Sequence, residues 1–82
     1  STINIDLYFT KAGATANIMY NYFNGGCNIT KTISDGVTPT LNITNNCITG
    51  TIYTTSTIDA SKNNIADLAA LQAAYELYKQ EQ

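Results

Sequence analysis

The sequence predicts an α+β domain, in which a small antiparallel β-meander of four to five strands is followed by one C-terminal α-helix packed on or beside the sheet. Three observations support this prediction. Apolar and polar residues alternate along the first part of the chain with the period of half-buried strands. Pairs of Asn and Gly, which are typical of tight turns, separate the alternating runs. Residues 65–82 are rich in Ala, Leu, Gln, Glu and Lys, which favour helix.

The length of the chain limits it to one folding unit. Its 82 residues can form one small core and are too few for two. We therefore treat residues 1–82 as a single domain, with a sheet region over residues 1–58 and a helix over residues 64–82. Charged residues make up only 12% of the chain against a usual share of about 25%. The 44% of apolar residues in alternating runs argues against disorder.

The strand at residues 2–10 is the clearest element of the sheet region. Its odd positions are apolar and most of its even positions are polar, so one face is expected to be buried. A second alternating run covers residues 17–23. Asn24-Gly25 then predicts a two-residue type I′ hairpin turn, which would place Tyr22 opposite Cys27.

The second half of the sheet region is predicted in the same way. Residues 34–39 contain many turn formers and are expected to be a loop before a strand at residues 40–44. Asn45-Asn46 is interpreted as a second tight turn that pairs Ile43 with Ile48, because Asn tolerates positive φ. The predicted core, including residues of the helix, is Ile3, Ile5, Leu7, Phe9, Ile18, Tyr20, Tyr22, Ile29, Leu41, Ile43, Ile48, Ile52, Leu68, Leu71 and Tyr75.

The C-terminal helix carries two apolar stripes. Its predicted N-cap is Asn64, with Asp67 three residues later in a weak capping box. The stripe of large residues is expected to cover the sheet. The second stripe is small enough for close approach by another helix or backbone, although Ala also fills neutral helix positions simply because it is a good helix former. We call this second stripe the Ala stripe; its members are Ala66, Ala70, Ala73 and Leu77.

The composition excludes most catalytic chemistry. Without His, no Ser-His or Cys-His pair can form, and two Cys cannot complete a structural zinc site. Neither phosphate-binding glycine motif is present. Four Lys in a chain with a net charge of −2 give no basic patch for nucleic acid. No run of about 18 apolar residues exists to span a membrane. We expect no enzyme activity, no cofactor, no metal and no nucleic-acid partner.

The middle of the chain is nearly uncharged, and this feature carries the functional prediction. Between residues 12 and 58 only Lys31 and Asp35 are charged. Natural sheets usually protect exposed edges with Lys, Pro or inward charges, because bare strand edges recruit other strands. A codon bias toward Asn and Ile is the alternative, but it explains the scarcity of Lys poorly. The predicted contact residues are the second helix stripe together with Tyr53, Thr49 and Thr51.

The sequence therefore predicts a non-catalytic structural subunit, either a homo-oligomer or one of several subunits in an assembly. By analogy of composition the assembly is a virion capsid or tail or an extracellular filament, and a virion or extracellular location is expected although no signal peptide is visible. One alternative is an extracellular binding module that recognises glycan or protein through exposed Tyr, Asn and Thr. The other is a small secreted inhibitor or toxin.

The two cysteines leave three possibilities open. Cys27 and Cys47 are 20 positions apart, and a bond between them would stabilise a small domain by about 3 kcal/mol. The predicted hairpins place the two side chains on opposite faces of the sheet, which disfavours the bond. The three alternatives are an intramolecular disulfide, two free thiols and an intersubunit bond.

Overall fold

All the strands of the protein pair in parallel. A computed structural model describes all 82 residues and contains three two-stranded sheets, a 3₁₀ turn and one α-helix. The first strand pairs with the fourth, the second with the fifth and the third with the sixth. The elements in chain order are β1 (Thr2–Phe9), β2 (Thr15–Met19), β3 (Tyr22–Phe23), β4 (Gly26–Ile33), β5 (Thr40–Thr44), β6 (Cys47–Ile48), the 3₁₀ turn (Ala60–Lys62) and α1 (Leu68–Gln80).

The strand registers show that the chain winds as a coil. Ile3 pairs with Cys27, 24 positions further along the chain, and Thr15 pairs with Thr40, 25 positions further. The third sheet has the same 25-residue spacing. When every strand pairs in parallel with a strand that lies a nearly constant interval along the chain, the chain forms a short parallel β-solenoid. We call residues 1–25 the first coil, residues 26–50 the second coil and residues 51–63 the third coil.

The third coil is shorter than the other two. Ile52 forms a single parallel bridge with Cys27, and the Thr57 amide donates to the Ile29 carbonyl at 2.8 Å. The chain then passes directly to the 3₁₀ turn and Asn63, without a strand beside β5. The end of the solenoid at this coil, which we call the third-coil end, is therefore only partly covered.

The predicted antiparallel meander is wrong. Cys27 pairs with Ile3 and not with Tyr22, and Ile43 pairs with Ile18 and not with Ile48. Alternation marks which face of a strand is buried but does not identify its partner, so it fits either topology. The Asn and Gly pairs, which were interpreted as hairpin turns, instead lie at corners where the chain changes sheet.

The corners have a common geometry. Tyr20 and Asn45 are 25 positions apart, and both have a φ of 58°. A single residue in the left-handed conformation turns the chain from one sheet to the next without reversing it. Asn tolerates this conformation, whereas Tyr adopts it with strain. Gly25 and Gly50 stack at the next corner, where a Cβ on Gly50 would collide with the Gly25 backbone.

The core lies inside the coils. In β1 the predicted alternation is confirmed, since the apolar odd positions face the core and Tyr8 is 70% exposed. The bend at Tyr20 shifts the alternation by one residue, so Phe23 is buried in place of the predicted Tyr22. Leu68 and Tyr75 were also predicted in the core but are 46% and 43% exposed. The buried cluster consists of Phe23, Cys27, Ile29, Ile43 and Ile58.

The helix begins later than predicted. Asn64 does not cap it; the N-cap is Asp67, whose carboxylate accepts a hydrogen bond from the Ala70 amide at 2.8 Å. Leu71 is the buried residue of α1. The second half of α1 reaches the first coil, because the rings of Tyr75 and Tyr78 lie 5.6 and 4.7 Å from that of Tyr20. No helix combines the length and apolar character that a membrane crossing needs.

Candidate functional site

Three asparagines form a ladder that joins the coils through the interior. Asn46 is fully buried and Asn63 is 5% exposed, whereas Asn21 is exposed at the start of the ladder. The Asn46 Oδ1 accepts from the Asn21 backbone N–H at 2.8 Å and from its Nδ2 at 3.1 Å. The Asn63 Oδ1 accepts in the same way from the Asn46 N–H at 3.2 Å and its Nδ2 at 2.8 Å.

Each pair of hydrogen-bonded asparagines forms one rung of this ladder. At each rung, the asparagine of the later coil also bonds a strand of the preceding coil. The Asn46 Nδ2 donates to the Ile18 carbonyl at 2.9 Å, and the Asn63 Nδ2 donates to the Ile43 carbonyl at the same distance. Ile18 and Ile43 are themselves register partners. No buried side-chain nitrogen or oxygen is left without a hydrogen bond, so the ladder is fully satisfied inside the molecule.

The two ends of the ladder differ. At the third coil, the Asn63 backbone N–H donates to the Ala60 carbonyl and its Nδ2 also reaches the Asp59 carbonyl, so its donors are used locally. At the first coil, the Asn21 Nδ2 bonds the nearby Met19 carbonyl at 3.1 Å, and its Oδ1 accepts no hydrogen bond. The ladder therefore ends in a free acceptor at the first coil.

The strands of the first coil have one open edge. The Ser1 and Phe9 carbonyls accept from Gly26 and Ser34, which shows that the odd residues of β1 direct their backbone groups toward β4. Backbone groups alternate in direction along a strand. The N–H and C=O groups that point to the open edge are those of Thr2, Asn4, Asp6 and Tyr8. We call this surface, together with the free edges of β2 and β3, the first-coil end.

The inward positions of the first-coil end carry no charge. Phe9 is buried, but the side chains of Ile3, Ile5 and Leu7 are only partly buried, because β1 has no partner strand on that side. At the opposite end the inward register partner of Leu7 is Lys31. An inward charge at a sheet end discourages the addition of another strand, and the first-coil end has no inward charge.

The one cavity in the protein lies at the third-coil end. Its volume is about 150 Å³, and it occupies the place beside β5 where the third coil has no strand. Hydrogen bonds from Ser61 lower the pKa of the Asp59 carboxyl, so this side chain is ionised there. We interpret the cavity as the opening of the solenoid interior to solvent, lined in part by charged side chains. Its lining residues are Lys31, Leu41, Ile43, Thr44, Thr57, Asp59 and Lys62.

Polar side chains continue the stacking on the outer surface. The Asn42 Nδ2 donates to the Asn17 Oδ1 at 2.8 Å, one coil away. Thr30 donates from its hydroxyl to the Asp6 carboxylate in the same manner. Thr55 of the third coil donates to Asn28 at 3.0 Å. The Thr and Asn side chains that give the chain its composition thus bond between neighbouring coils.

The residues predicted to contact partners are all exposed but lie in different places. Ala66 precedes α1, whereas the other members of the Ala stripe lie on its uncovered surface. Thr49 bonds the Gly25 amide through its hydroxyl at 2.9 Å, and the Tyr53 hydroxyl lies 2.7 Å from the Thr2 hydroxyl. Thr49, Thr51 and Tyr53 therefore lie together around Gly25 and Gly26, and the role of all the predicted residues in contacts stays a prediction.

Both cysteines face the interior as free thiols. Cys27 is fully buried and Cys47 is 1% exposed. The prediction that they lie on opposite faces of one sheet is wrong, since they belong to two different sheets that face the same core. Burial raises the pKa of the Cys27 thiol, which favours its neutral form. No three His, Cys, Asp or Glu side chains are grouped to hold a metal ion.

The asparagine ladder and the inward lysine were not predicted from the sequence. The available signal was an internal repeat, because residues 15–25 and 40–50 are identical at five positions. A repeat of 20–50 residues is the usual signature of a solenoid. The identical pairs are Thr15 and Thr40, Asn17 and Asn42, Ile18 and Ile43, Asn21 and Asn46, and Gly25 and Gly50.

Comparisons with protein-family models, curated proteins and solved structures found no match to this chain.

Proposed function

We propose that this chain is a non-catalytic structural subunit that joins a larger protein assembly, such as a virion or an extracellular filament, through its first-coil end. The observation that supports this proposal is the unprotected edge of β1. Its outward backbone groups have no partner, and its apolar inward side chains are uncovered on that side. Such an edge recruits further strands unless an inward charge, a proline or a covering element blocks it, and the one charged residue of β1, Asp6, is exposed on the outer face and accepts a hydrogen bond from Thr30.

The outer surface supports the same proposal. Neighbouring coils bond through Thr and Asn side chains, which form ladders without introducing like charges that repel each other. An added coil can extend these ladders with the same residue types. The Ala stripe of α1 provides a second, lateral contact in this proposal, since small residues allow close approach of another helix. The other functions predicted from the sequence, a glycan-binding module and a secreted inhibitor, gain no specific contact from the structure.

The test is whether association depends on the edge of β1. Asn4 is the best position for a block, because its N–H points to the open edge and its side chain makes no hydrogen bond. Pro at this position removes a donor that the monomer does not use, and proline at a strand edge prevents pairing. We expect the wild-type chain to associate with increasing concentration in size-exclusion chromatography with light scattering, and Asn4→Pro to remain at 8.9 kDa.

Asn4→Thr is the matched control, since it changes the same side chain but keeps the N–H, and Thr is favourable in a strand. It should associate like the wild type. Ala70→Glu in the same assay measures the contribution of the helix stripe. A wild-type chain that stays monomeric at millimolar concentration, or an Asn4→Pro variant that associates normally, would contradict the proposed role of the first-coil end.

A further inference from the structure

The partner of the first-coil end can be described from the ladder, and this step rests on the function proposed above. We infer that the first-coil end accepts a further parallel β-coil, whose corner presents a backbone N–H and a side-chain amide to Asn21. Two successive rungs inside the molecule already show this arrangement, and the first-coil end repeats its acceptor side.

The direction of the partner coil follows from the geometry of those rungs. In each one, the Oδ1 of an asparagine receives both donors from the asparagine one coil nearer the N-terminus. The Asn21 Oδ1 is the same acceptor without a donor. A coil that runs in the same direction as the first coil brings its own corner N–H over this atom. A coil that runs in the opposite direction places its corner elsewhere and leaves the acceptor empty.

A second copy of this chain stacked head to tail cannot provide the missing rung, so any association of identical chains through this edge pairs two first-coil ends. The surface that would have to stack on the first coil is the third-coil end, where the donors of Asn63 already bond Ala60, Ile43 and Asp59. That end also has no strand to place beside β2, and Lys31 occupies an inward position. Head-to-tail stacking of identical chains would therefore leave unpaired groups and a charge in the interface.

The required partner can be specified by its chemistry. Its coil is about 24 or 25 residues long, to match the spacing within this chain. Its inward positions are apolar, because they cover the side chains of β1. Its strand over β1 supplies N–H and C=O groups to Thr2, Asn4, Asp6 and Tyr8, and its last corner carries Asn. These features identify a solenoid whose end this chain extends and then closes with its short third coil.

The probe for this site is a coil of known sequence. A copy of residues 1–25 fused directly to Thr2, in place of Ser1, repeats the 24-residue spacing between Ile3 and Cys27. We expect the added coil to fold on the first-coil end. Amide hydrogen exchange at Asn4, Asp6 and Tyr8 should then slow by at least about tenfold, because their N–H groups become bonded. The urea m-value should rise with the larger surface exposed on unfolding.

Two variants of this fusion make the test specific. Asn4→Pro in the original strand should abolish the added protection at Asp6 and Tyr8. Asn→Ala at the copied equivalent of Asn21 should weaken it, because the side-chain donor to the Asn21 Oδ1 is lost while the backbone N–H remains. Wild-type exchange rates at the three amides and an unchanged m-value in the fusion would overturn the inference.

The outcomes separate the partner from the proposed function. If the unfused chain gains protection at these amides with concentration while the fusion does not, the edge pairs with an antiparallel second copy, which overturns the parallel partner but keeps the proposed function. If the fused coil folds and the unfused chain never associates, the inferred site for a parallel coil is supported, and the proposed role in an assembly is contradicted.

Discussion

The two ends of the solenoid are built differently, although both belong to the same stack of coils. At the third-coil end, hydrogen bonds from residues 51–57 cover part of β4, and the 3₁₀ turn uses the donors of Asn63. Lys31 places a charge at an inward position. At the first-coil end, the strand edges are bare, the inward positions are apolar, and the ladder ends in the free Oδ1 of Asn21.

This difference means that further coils can be added to the two ends with unequal ease. Each coil buries its apolar face only against its neighbours, so a solenoid needs atypical terminal units. Here the 13 residues of the third coil partly cover one end, and the edge of β1 at the other end has no partner strand. The asymmetry is therefore a property of the sequence, which changes from apolar Leu7 to charged Lys31 at one register position.

The largest effect is expected from breaking the middle of the ladder rather than its end. Asn46→Ala removes the donor to the Ile18 carbonyl and the acceptor for the Asn21 N–H, and both sites are at least partly buried. We expect it to lower the free energy of unfolding by about 2–4 kcal/mol in urea titration. Asn21→Ala, at the open end, should cost about 1 kcal/mol or less because water reaches that site.

The paired design controls for the loss of an Asn side chain as such. Both variants make the same chemical change 25 positions apart, so a difference between them reports the position in the ladder. Equal losses for Asn21→Ala and Asn46→Ala would show that burial of the ladder does not matter, and the distinction between its middle and its end would fail.

A smaller effect on stability, but a change in assembly, is expected from removing the inward charge. Lys31→Leu gives the third-coil end the apolar residue that the first coil has at the same register position. In an Asn4→Pro background, which silences the first-coil end, we expect the average mass by light scattering to rise about twofold as third-coil ends pair. Stability should change by less than about 1 kcal/mol, since Lys31 is exposed.

Lys11→Leu is the control for this variant, because it removes the same charge from an exposed loop residue outside the strands. Its mass should remain that of the monomer. If Lys31→Leu and Lys11→Leu behave alike, the lysine is an ordinary surface residue, and its place in the register has no protective role.

The sequence predicted the faces of the strands better than their partners. The alternation in β1 correctly identifies its buried side, because the two-residue period of a strand is a local property. Pairing is not local, and Asn24-Gly25 favours a hairpin by the same preference for positive φ that serves a solenoid corner. Only the repeat between residues 15–25 and 40–50 distinguishes the two, since a hairpin gives no reason for a constant spacing.

For the candidate site, too, the sequence indicated local properties but not the pairing between residues. The low charge between residues 12 and 58 points to contacts with other protein, but composition does not say which edge is free. Lys31 was one of two charges in that segment, and its importance depends on the register that places it opposite Leu7. The asparagines looked like turn formers, and their buried bonds between coils follow only from the parallel stack.

The smallest predicted effect is that of low pH, which should destabilise the third-coil end before the first-coil end. Ser61 donates to the Asp59 carboxylate from its amide at 3.0 Å and its hydroxyl at 2.7 Å, and these bonds lower the pKa of Asp59. The ionised form is therefore favoured by folding, and its contribution is present above the ordinary pKa and lost as the pH falls through the lower folded value.

The comparison of Asp59→Asn with Asp35→Asn in urea unfolding between about pH 6 and pH 2 tests this effect. Asp35 lies in an exposed loop and its side chain makes no hydrogen bond, so Asp35→Asn should keep the wild-type pH dependence. Asp59→Asn should flatten it slightly, because the amide cannot gain a proton over this range. Amide exchange at Lys62 and Asn63, beside the 3₁₀ turn, should speed up in acid before exchange in β1 paired to β4. If both regions open together, or if Asp59→Asn keeps the full pH dependence, the carboxylate does not hold the third-coil end, and the closure of that end rests on the ladder and the backbone alone.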